Sequence, residues 1–296
     1  PLIGPGAPNM KSPLDYLAYA EDLPQTRVTK GPLEPVAPRP VWTGFYAGLN
    51  AGVGFGGDNY IYPSTIPIGP GFDPGLAFLG PENFGNSNAA FIGGGQVGYN
   101  YHFAPRALAG FETDIQGVVG GSGATSNFSG ATSAAFPGNF LLGTLGASQK
   151  LDFIGTARGR LGYLVTPRGL VYATGGLAYG QTTLSTSSEI LNATPAGAVV
   201  SVSGGSGFVS DLRVGWTAGG GFEWMFTPNW SAKAEYLYYD LGSYSATTPQ
   251  ITIAAPSAVT SSAANCYHGH ANGQIVRAGL NYHFNFGEEA PVIAGY

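Results

Sequence analysis

Cysteine and histidine side chains that could bind a metal lie in one short run, Cys266-Tyr-His268-Gly-His270. Thiolate and imidazole are ligands that zinc and copper accept, so this run could in principle hold a soft metal ion. A structural zinc site needs four ligands, and the run supplies three of them in a segment rich in Ser, Thr and Ala. The sequence therefore predicts neither a metal nor another cofactor, and Cys266, His268 and His270 remain its candidate ligands.

Catalysis of acyl transfer at a membrane would need a Ser/His pair that is oriented by an acid. Ser is abundant and four His are present, but no spacing singles out such a pair. We therefore predict that the protein is not an enzyme. Nucleic acid is also excluded as a partner, because 12 Lys and Arg stand against 17 acidic residues and form no basic patch. A single Cys rules out an internal disulfide framework.

Charged residues recur at alternate positions in several segments. Ten of them fall on one face when every second residue is read: Glu112, Asp114, Asp152, Arg158, Arg160, Arg213, Glu223, Lys233, Glu235 and Arg277. A period of two is typical of a β-strand whose two faces meet different surroundings. The charges are therefore expected to be positioned by strands and to share one side of a sheet.

Apolar residues occupy the opposite face of the same segments. In the last of them, Gly273–Phe286, the alternate residues from Val276 to Phe286 are all apolar, and those between them are mostly polar or small. Eight segments follow this pattern, at about 42–55, 88–103, 106–120, 149–165, 169–182, 211–226, 230–243 and 273–286.

Connections between these segments alternate in length. Three are tight turns with a proline, within Phe103–Arg106, Val165–Arg168 and Phe226–Asn229. The other four, at about 56–87, 121–148, 183–210 and 244–272, are long and rich in small and polar residues. Short turns alternating with long loops over an even number of strands are typical of outer-membrane barrels. The predicted fold is all-β, an eight-stranded antiparallel up-and-down transmembrane β-barrel with long extracellular loops.

The charged face decides which side of the barrel wall points inward. Each Arg or Lys facing lipid near the midplane would cost roughly 2–4 kcal/mol. An eight-stranded interior is only just wide enough to be filled by side chains, and it has no room for the aromatic residues of the other face. We therefore predict a lumen filled by ion pairs among Glu112, Asp114, Arg158, Arg160, Glu223, Lys233, Glu235 and Arg277. This network is interpreted as a structural core, and a conduction path is the alternative.

Aromatic residues cluster near the ends of strands that meet the short turns. Such a belt is expected at a membrane–water interface, and its predicted members are Tyr99, Tyr101, Tyr163, Trp224, Trp230, Phe284 and Phe286.

Three regions are expected along the chain. Residues 1–41 are rich in proline and are predicted to be an extended periplasmic segment. Residues 42–286 form the barrel, and residues 287–296 form a periplasmic tail. The N-terminal residues do not show the charged region followed by an apolar region that is typical of a signal peptide, so the signal peptide is expected to have been removed already.

Long connections without charge are a further feature of the chain. Stretches such as 198–203 and 251–255 have high β-propensity, and two interpretations are open. They extend the barrel's own hairpins above the membrane, or they pair with neighbouring molecules.

Five motifs resemble one known family: Trp42–Asn50, Gly155–Tyr163 (GTARGRLGY), Tyr172–Gly180 (YATGGLAYG), Thr227–Gly242 and Val276–Phe284. They are similar to the α-proteobacterial outer-membrane β-barrel family of the 25/31-kDa major outer-membrane, or outer-membrane immunogenic, protein type. The resemblance implies an eight-stranded barrel, abundance in the outer membrane and a role in envelope integrity. The resemblance also implies a link to the cell wall, since some members of the family look to be tethered to peptidoglycan through a mature N-terminus that begins with Ala-Asp-Leu-Pro or a similar sequence. Here Glu21-Asp22-Leu23-Pro24 occurs internally.

The predicted function is that of a structural outer-membrane barrel with extracellular loops and periplasmic termini. Expected partners are outer-membrane lipid and lipopolysaccharide, peptidoglycan or an envelope protein through residues 1–41, and further copies of the chain in a homo-oligomer. A narrow, low-conductance porin and a surface adhesion or lattice protein are the alternatives.

Overall fold

The computed structural model describes residues 42–56, 60–67, 84–85, 89–121, 123–134, 136–254 and 258–284. These residues belong to one compact unit, Arg39–Tyr296. The predicted segments 1–41 and 287–296 lie outside the described residues. No helix in the described ranges is long and apolar enough to cross a membrane.

Eight strands close into an antiparallel ring, which confirms the predicted fold. The strand bounds are β1 Gly44–Gly56, β2 Tyr60–Pro67, β3 Phe84–Gly85, β4 Ala89–Ala104, β5 Ala107–Gly120, β6 Gly123–Thr132, β7 Phe140–Thr166, β8 Gly169–Ala193, β9 Val199–Met225, β10 Trp230–Ala254 and β11 Ala258–His283. The ring order is β1-β4-β5-β7-β8-β9-β10-β11, and β11 pairs with β1 from Tyr46↔His283 to Gly56↔Gly273. Strands β2 and β3 extend the sheet beyond β11, and β6 pairs with β7.

Apolar side chains point outward around the ring, and polar ones point inward. Leu49 on β1 and Leu280 on β11 are register partners that are 73% and 51% exposed, whereas Arg277, which points inward from β11, is 2% exposed. An outer wall of exposed Leu, Val, Phe and Trp is unfavourable in water but favourable against lipid. The orientation inferred from the charges is therefore the one that the fold adopts.

Strands β7 to β11 are longer than the alternation predicted. They run for 27, 25, 27, 25 and 26 residues, whereas about 9–11 tilted residues suffice to cross a membrane. The predicted loops at 183–210 and 244–272 are therefore largely hairpin extensions, which was one of the two interpretations. Their inward hydroxyls bond across strands, as in Thr186 Oγ1 to Thr248 Oγ1 at 2.7 Å. Thr and Val favour strands, so these segments, with Glu189 as their one acidic residue, continue the ladder instead of breaking it.

Two β-bulges change which residues face inward. One lies between Leu151 and Phe153, where the β7–β8 register shifts. The expectation that Asp152 lies on the inward charged face is wrong, because this bulge interrupts the alternation. The Asp152 side chain is one-third exposed and pairs with Lys150 at 2.8 Å. The second bulge, between Asp240 and Ser243, shifts the β10–β11 register and contains Gly242 with a φ of 80°.

The bulge at Gly242 can be tested by substitution. A φ of 80° lies in the left-handed region, where a residue other than Gly costs about 1–2 kcal/mol, although Asn adopts it more readily. A Cβ at this position meets nothing within 4 Å, so the effect of a side chain would be purely conformational. We expect Gly242→Val to lower the free energy of unfolding in detergent by about that amount. Gly242→Asn is the matched control, and equal urea midpoints for the two variants would contradict this account.

Candidate functional site: a buried ion network in the barrel lumen

Eight charged side chains meet in the middle of the lumen. The structure places all eight predicted network residues there, on the inward faces of β5, β7, β9, β10 and β11, and each is at most 4% exposed. The network contains four carboxylates (Glu112, Asp114, Glu223 and Glu235) and four bases (Arg158, Arg160, Lys233 and Arg277). Its formal charges therefore sum to zero, which is the condition under which charges can be buried at tolerable cost.

Arg158 lies at the centre of the network and contacts three carboxylates. Its Nη2 donates to Glu112 Oε1 at 2.6 Å and to Asp114 Oδ2 at 2.8 Å, and its Nη1 donates to Glu235 Oε1 at 2.9 Å. The Nε donates to Thr156 Oγ1 at 2.8 Å. Every guanidinium nitrogen of Arg158 therefore has an acceptor, and the planar group links β5, β7 and β10 across the lumen.

Arg277 and Lys233 close the network from the other side of the barrel. Arg277 Nε donates to Glu235 Oε2 at 2.7 Å and its Nη2 to Asp114 Oδ2 at 2.9 Å. Lys233 Nζ donates to both oxygens of Glu112, at 2.8 and 2.9 Å. Glu112, Asp114 and Glu235 are thus each shared between bases from different strands, so this part of the cluster is a single unit and not a set of separate pairs.

Two tyrosines complete the part of the network that lies nearer the short turns. Arg160 pairs with Glu223 and lies over the Tyr172 ring, with 3.8 Å from its Cζ to the ring centroid. Tyr46 OH donates to Glu112 Oε2 at 2.7 Å and accepts from Arg160 Nη1 at 2.9 Å. Sequence reasoning missed both tyrosines as network members. Their place on the inward face of the alternation was the signal that could have revealed them.

Apolar layers lie on both sides of the ion network. Toward the short turns, a cluster of Trp42, Leu108, Leu164, Leu170, Tyr172 and Met225 fills the lumen, and Trp42 Nε1 donates to the Pro167 carbonyl at 3.1 Å. Toward the long hairpins, a second cluster includes Ile92, Ile154, Leu237 and Ile275. Ion pairs were predicted to fill the lumen, and these two apolar layers were not predicted.

A small cavity lies beyond the ion network, on the side of the long hairpins. Its volume is about 60 Å³, and Ile92, Ile154, Ile275, Tyr239 and Leu241 are among its lining residues. This volume has room for only a few waters, since each requires about 10–15 Å³ of this kind of space. The three isoleucines separate the cavity from the charged layer beneath it.

The candidate metal ligands lie on strand β11 and not in a flexible loop. Cys266, His268 and His270 alternate with inward residues, so all three are on the outward face of the wall. In the described part of the chain, no three His, Cys, Asp or Glu side chains come together as a metal site would require. His270 instead contacts Asp240 and Ser243.

The predicted aromatic belt lies on the outer wall beside the short turns. Its members Tyr99, Tyr101, Tyr163, Trp224, Trp230 and Phe284 are all exposed there, and Phe286 lies outside the described residues. Sequence reasoning missed a second aromatic group at the opposite rim, where Trp216 contacts Tyr238 with ring centroids 5.3 Å apart. Two aromatic levels on one apolar wall are typical of a barrel that crosses both membrane interfaces.

A closed ring of eight strands, apolar outside and charged inside, defines an outer-membrane β-barrel. The chain belongs to the outer membrane protein beta-barrel domain family, which it matches over residues 36–284. It is therefore a protein of the Gram-negative outer membrane, within the α-proteobacterial group that its motifs resemble.

Two curated relatives support this assignment. The 31 kDa outer-membrane immunogenic protein of Brucella melitensis biotype 1 is 34% identical over 243 residues, which cover 82% of this chain and 84% of that protein. The 25 kDa outer-membrane immunogenic protein of Brucella ovis is 27% identical over 232 residues, covering 78% and 85% of the two chains.

Solved structures with a similar fold are more distant. The outer membrane protein OprG of Pseudomonas aeruginosa is 9% identical, with a TM-score of 0.36 and coverage of 83% of this chain and 99% of that one. Neisserial surface protein A is 12% identical, with a TM-score of 0.32 and coverage of 82% and 98%.

The central position of Arg158 predicts a large loss of stability when it is replaced. Arg158→Met keeps a side chain of similar length but removes the hydrogen bonds that the guanidinium donates to Glu112, Asp114 and Glu235. Removal of one partner from a buried ion pair costs about 3–5 kcal/mol, so we expect the free energy of unfolding in detergent to fall by that amount.

Arg213→Met is the matched control, because Arg213 is also on an inward face but its side chain is 22% exposed and its ion pair with Asp211 spans 3.5 Å. We expect this control to cost about 1 kcal/mol or less. The double variant Arg158→Met/Glu235→Gln should recover part of the lost stability, because it restores the zero net charge of the buried network. Equal losses for the two Arg variants would contradict the role given to the network.

Proposed function

We propose that the protein is a structural element of the outer membrane that contributes to envelope integrity and conducts no solutes. The observation that supports this role is the layering of side chains in the lumen, where an ion layer of zero net charge lies between two apolar layers. Conduction needs sites that an ion can enter and leave, whereas here each charge is already paired and buried. In this role the lumen residues form a structural core. They take part in no catalysis and provide no conduction path.

Partners of such a scaffold follow from its surfaces. The exposed apolar wall fits outer-membrane lipid and the acyl chains of lipopolysaccharide. With the short turns and chain ends on the periplasmic side, residues 1–41 would reach peptidoglycan or an envelope protein. The proline content of that segment favours an extended spacer. Muropeptides that co-purify with the full-length chain and are lost on deletion of residues 1–41 would support this link.

Conductance in planar lipid bilayers distinguishes the scaffold from a narrow porin. We expect the wild-type protein to give no discrete conductance steps above the baseline of the bilayer. Loss of the apolar layer in Trp42→Ala/Leu170→Ala should not open a path by itself, because the ion layer remains. Steps in the wild type that change in size with Arg158→Ala would instead favour the porin.

A surface lattice is a second candidate function, and one observation favours it. The β9 and β10 extensions expose apolar side chains above the predicted membrane level, among them Phe208, Ile251 and Ile253. Exposed apolar residues on these extensions favour association with further copies of the chain.

Lateral association can be tested by introducing charge on these strands. Like charges that meet across an interface repel each other, so Ile251→Lys/Ile253→Lys should abolish chemical cross-linking between copies in native envelopes while leaving insertion intact. Thr247→Lys, also on an outward and exposed position of β10, is the matched control. If the double variant cross-links as well as the wild type, these strands do not mediate association.

A further inference from the structure

Three side chains of different chemistry meet on the outer wall at the second bulge. His270 Nε2 lies 3.0 Å from Asp240 Oδ1, and His270 Nδ1 lies 3.0 Å from Ser243 Oγ. The order is acid, imidazole and hydroxyl, which is the arrangement that activates a serine for nucleophilic attack. Neither the lumen network nor the barrel wall requires this cluster.

The bulge brings the three residues onto the same face. On β10 the even-numbered residues point outward as far as Asp240, and the odd-numbered ones do so from Ser243 onward. Leu241 and Gly242 take up the change of register, so Asp240 and Ser243 both flank His270 across the β10–β11 ladder. Gly242 N donates to Asp240 Oδ1 at 2.8 Å and fixes the carboxylate. Ser243 is exposed, and a substrate could reach its hydroxyl.

A main-chain donor is present beside the hydroxyl. The ladder between β9 and β10 is interrupted between Asp240/Trp216 and Ile251/Gly204, so Ser243 has no ladder partner on β9 in the described part of the sheet. Its carbonyl accepts from Arg213 Nη1 at 2.7 Å instead. In an antiparallel strand the N–H and C=O of one residue project to the same side, so the Ser243 N–H also faces this gap. A nucleophile's own N–H is one of the donors that stabilise an oxyanion.

The position of the cluster indicates the substrate. Asp240 is the register partner of Trp216, which belongs to the aromatic group at the rim of the long hairpins. Trp and Tyr lie at the level of the lipid headgroups, and the ester bonds of membrane lipids lie at the same depth. Ser243 is on the lipid-facing side of the wall, three residues beyond Asp240 along β10 in the direction of the long hairpins.

We propose that Ser243 and His270 hydrolyse acyl esters of outer-leaflet lipids. The Ser243 oxygen attacks the ester carbonyl while His270 Nδ1 takes its proton, and collapse of the tetrahedral intermediate expels the lipid alkoxide, which receives that proton. Water, deprotonated by His270, then attacks the acyl-serine carbonyl; collapse of this second intermediate breaks the bond to the Ser243 oxygen, which takes the proton back from His270 as the fatty acid leaves. Asp240 is a positioning residue that holds the Nε2–H tautomer of His270. This activity departs from the sequence-based prediction that the protein is not an enzyme.

The full chain in detergent micelles is tested with a fluorophosphonate probe and with two lipid substrates, phosphatidylethanolamine and purified lipopolysaccharide. We expect the probe to label Ser243 and at least one lipid to release fatty acid. Ser243→Ala should abolish both signals, and His270→Ala should lower both by about 10²–10⁴-fold. Ser245→Ala, two residues along on the same exposed face, should leave both unchanged. The lipid that is cleaved identifies the source of the ester.

The positioning role of Asp240 is tested by measuring kcat and KM separately for its variants. Asp240→Asn should lower kcat with KM for the lipid unchanged, and Asp240→Glu should restore part of the rate. Folding of every variant is checked by circular dichroism. Folded wild-type protein that is not labelled, labelling that persists in Ser243→Ala, or labelling without release of fatty acid from either lipid would overturn the proposal.

Discussion

Mutual neutralisation of four acids and four bases is the interaction on which the rest of the barrel depends. A ring of eight strands is too narrow to hold bulk water, so its inward side chains must satisfy one another. Arg158 does this for three carboxylates at once. Because the inward positions on five strands are committed to that cluster, the outward positions are free to be apolar, and the wall can face lipid. The polar lumen and the apolar exterior are two consequences of the same alternation of polar and apolar residues along the strands.

Apolar layers above and below the charges explain how this arrangement can be stable. The attraction between charges grows as water is excluded, but the cost of desolvation grows as well. Trp42 and its neighbours on one side, and the isoleucines on the other, keep water away from a cluster whose hydrogen-bonding groups are largely paired. The lumen therefore resembles the core of a soluble protein with a charged centre, and it does not resemble a pore lined by solvated groups.

Much of this organisation could be predicted from the sequence. The period of two identifies the eight ring strands and assigns Glu112 and Arg277 to the inside, because one slip of register would turn either residue to lipid. The bulges could not be foreseen, since a single extra residue such as Gly242 leaves no mark in composition. For the same reason Asp152 was assigned to the wrong face, and the meeting of Asp240, Ser243 and His270 was not apparent from their spacing. The length of β8 and β9 was underestimated because Ser- and Gly-rich segments suggest loops, although tertiary pairing can hold them as strands.

Closure of β11 onto β1 has a consequence for the order of assembly. The hairpins of β7 with β8, β8 with β9, and β10 with β11 join strands that are neighbours along the chain, so each can form early and at little entropic cost. The seam joins Tyr46 to His283, which stand near opposite ends of the described chain. Until that seam forms, the edges of β1 and β11 expose unpaired amides that lipid cannot satisfy. Pairing of β11 with β1 is therefore the step that satisfies these two edges and closes the ring within the bilayer.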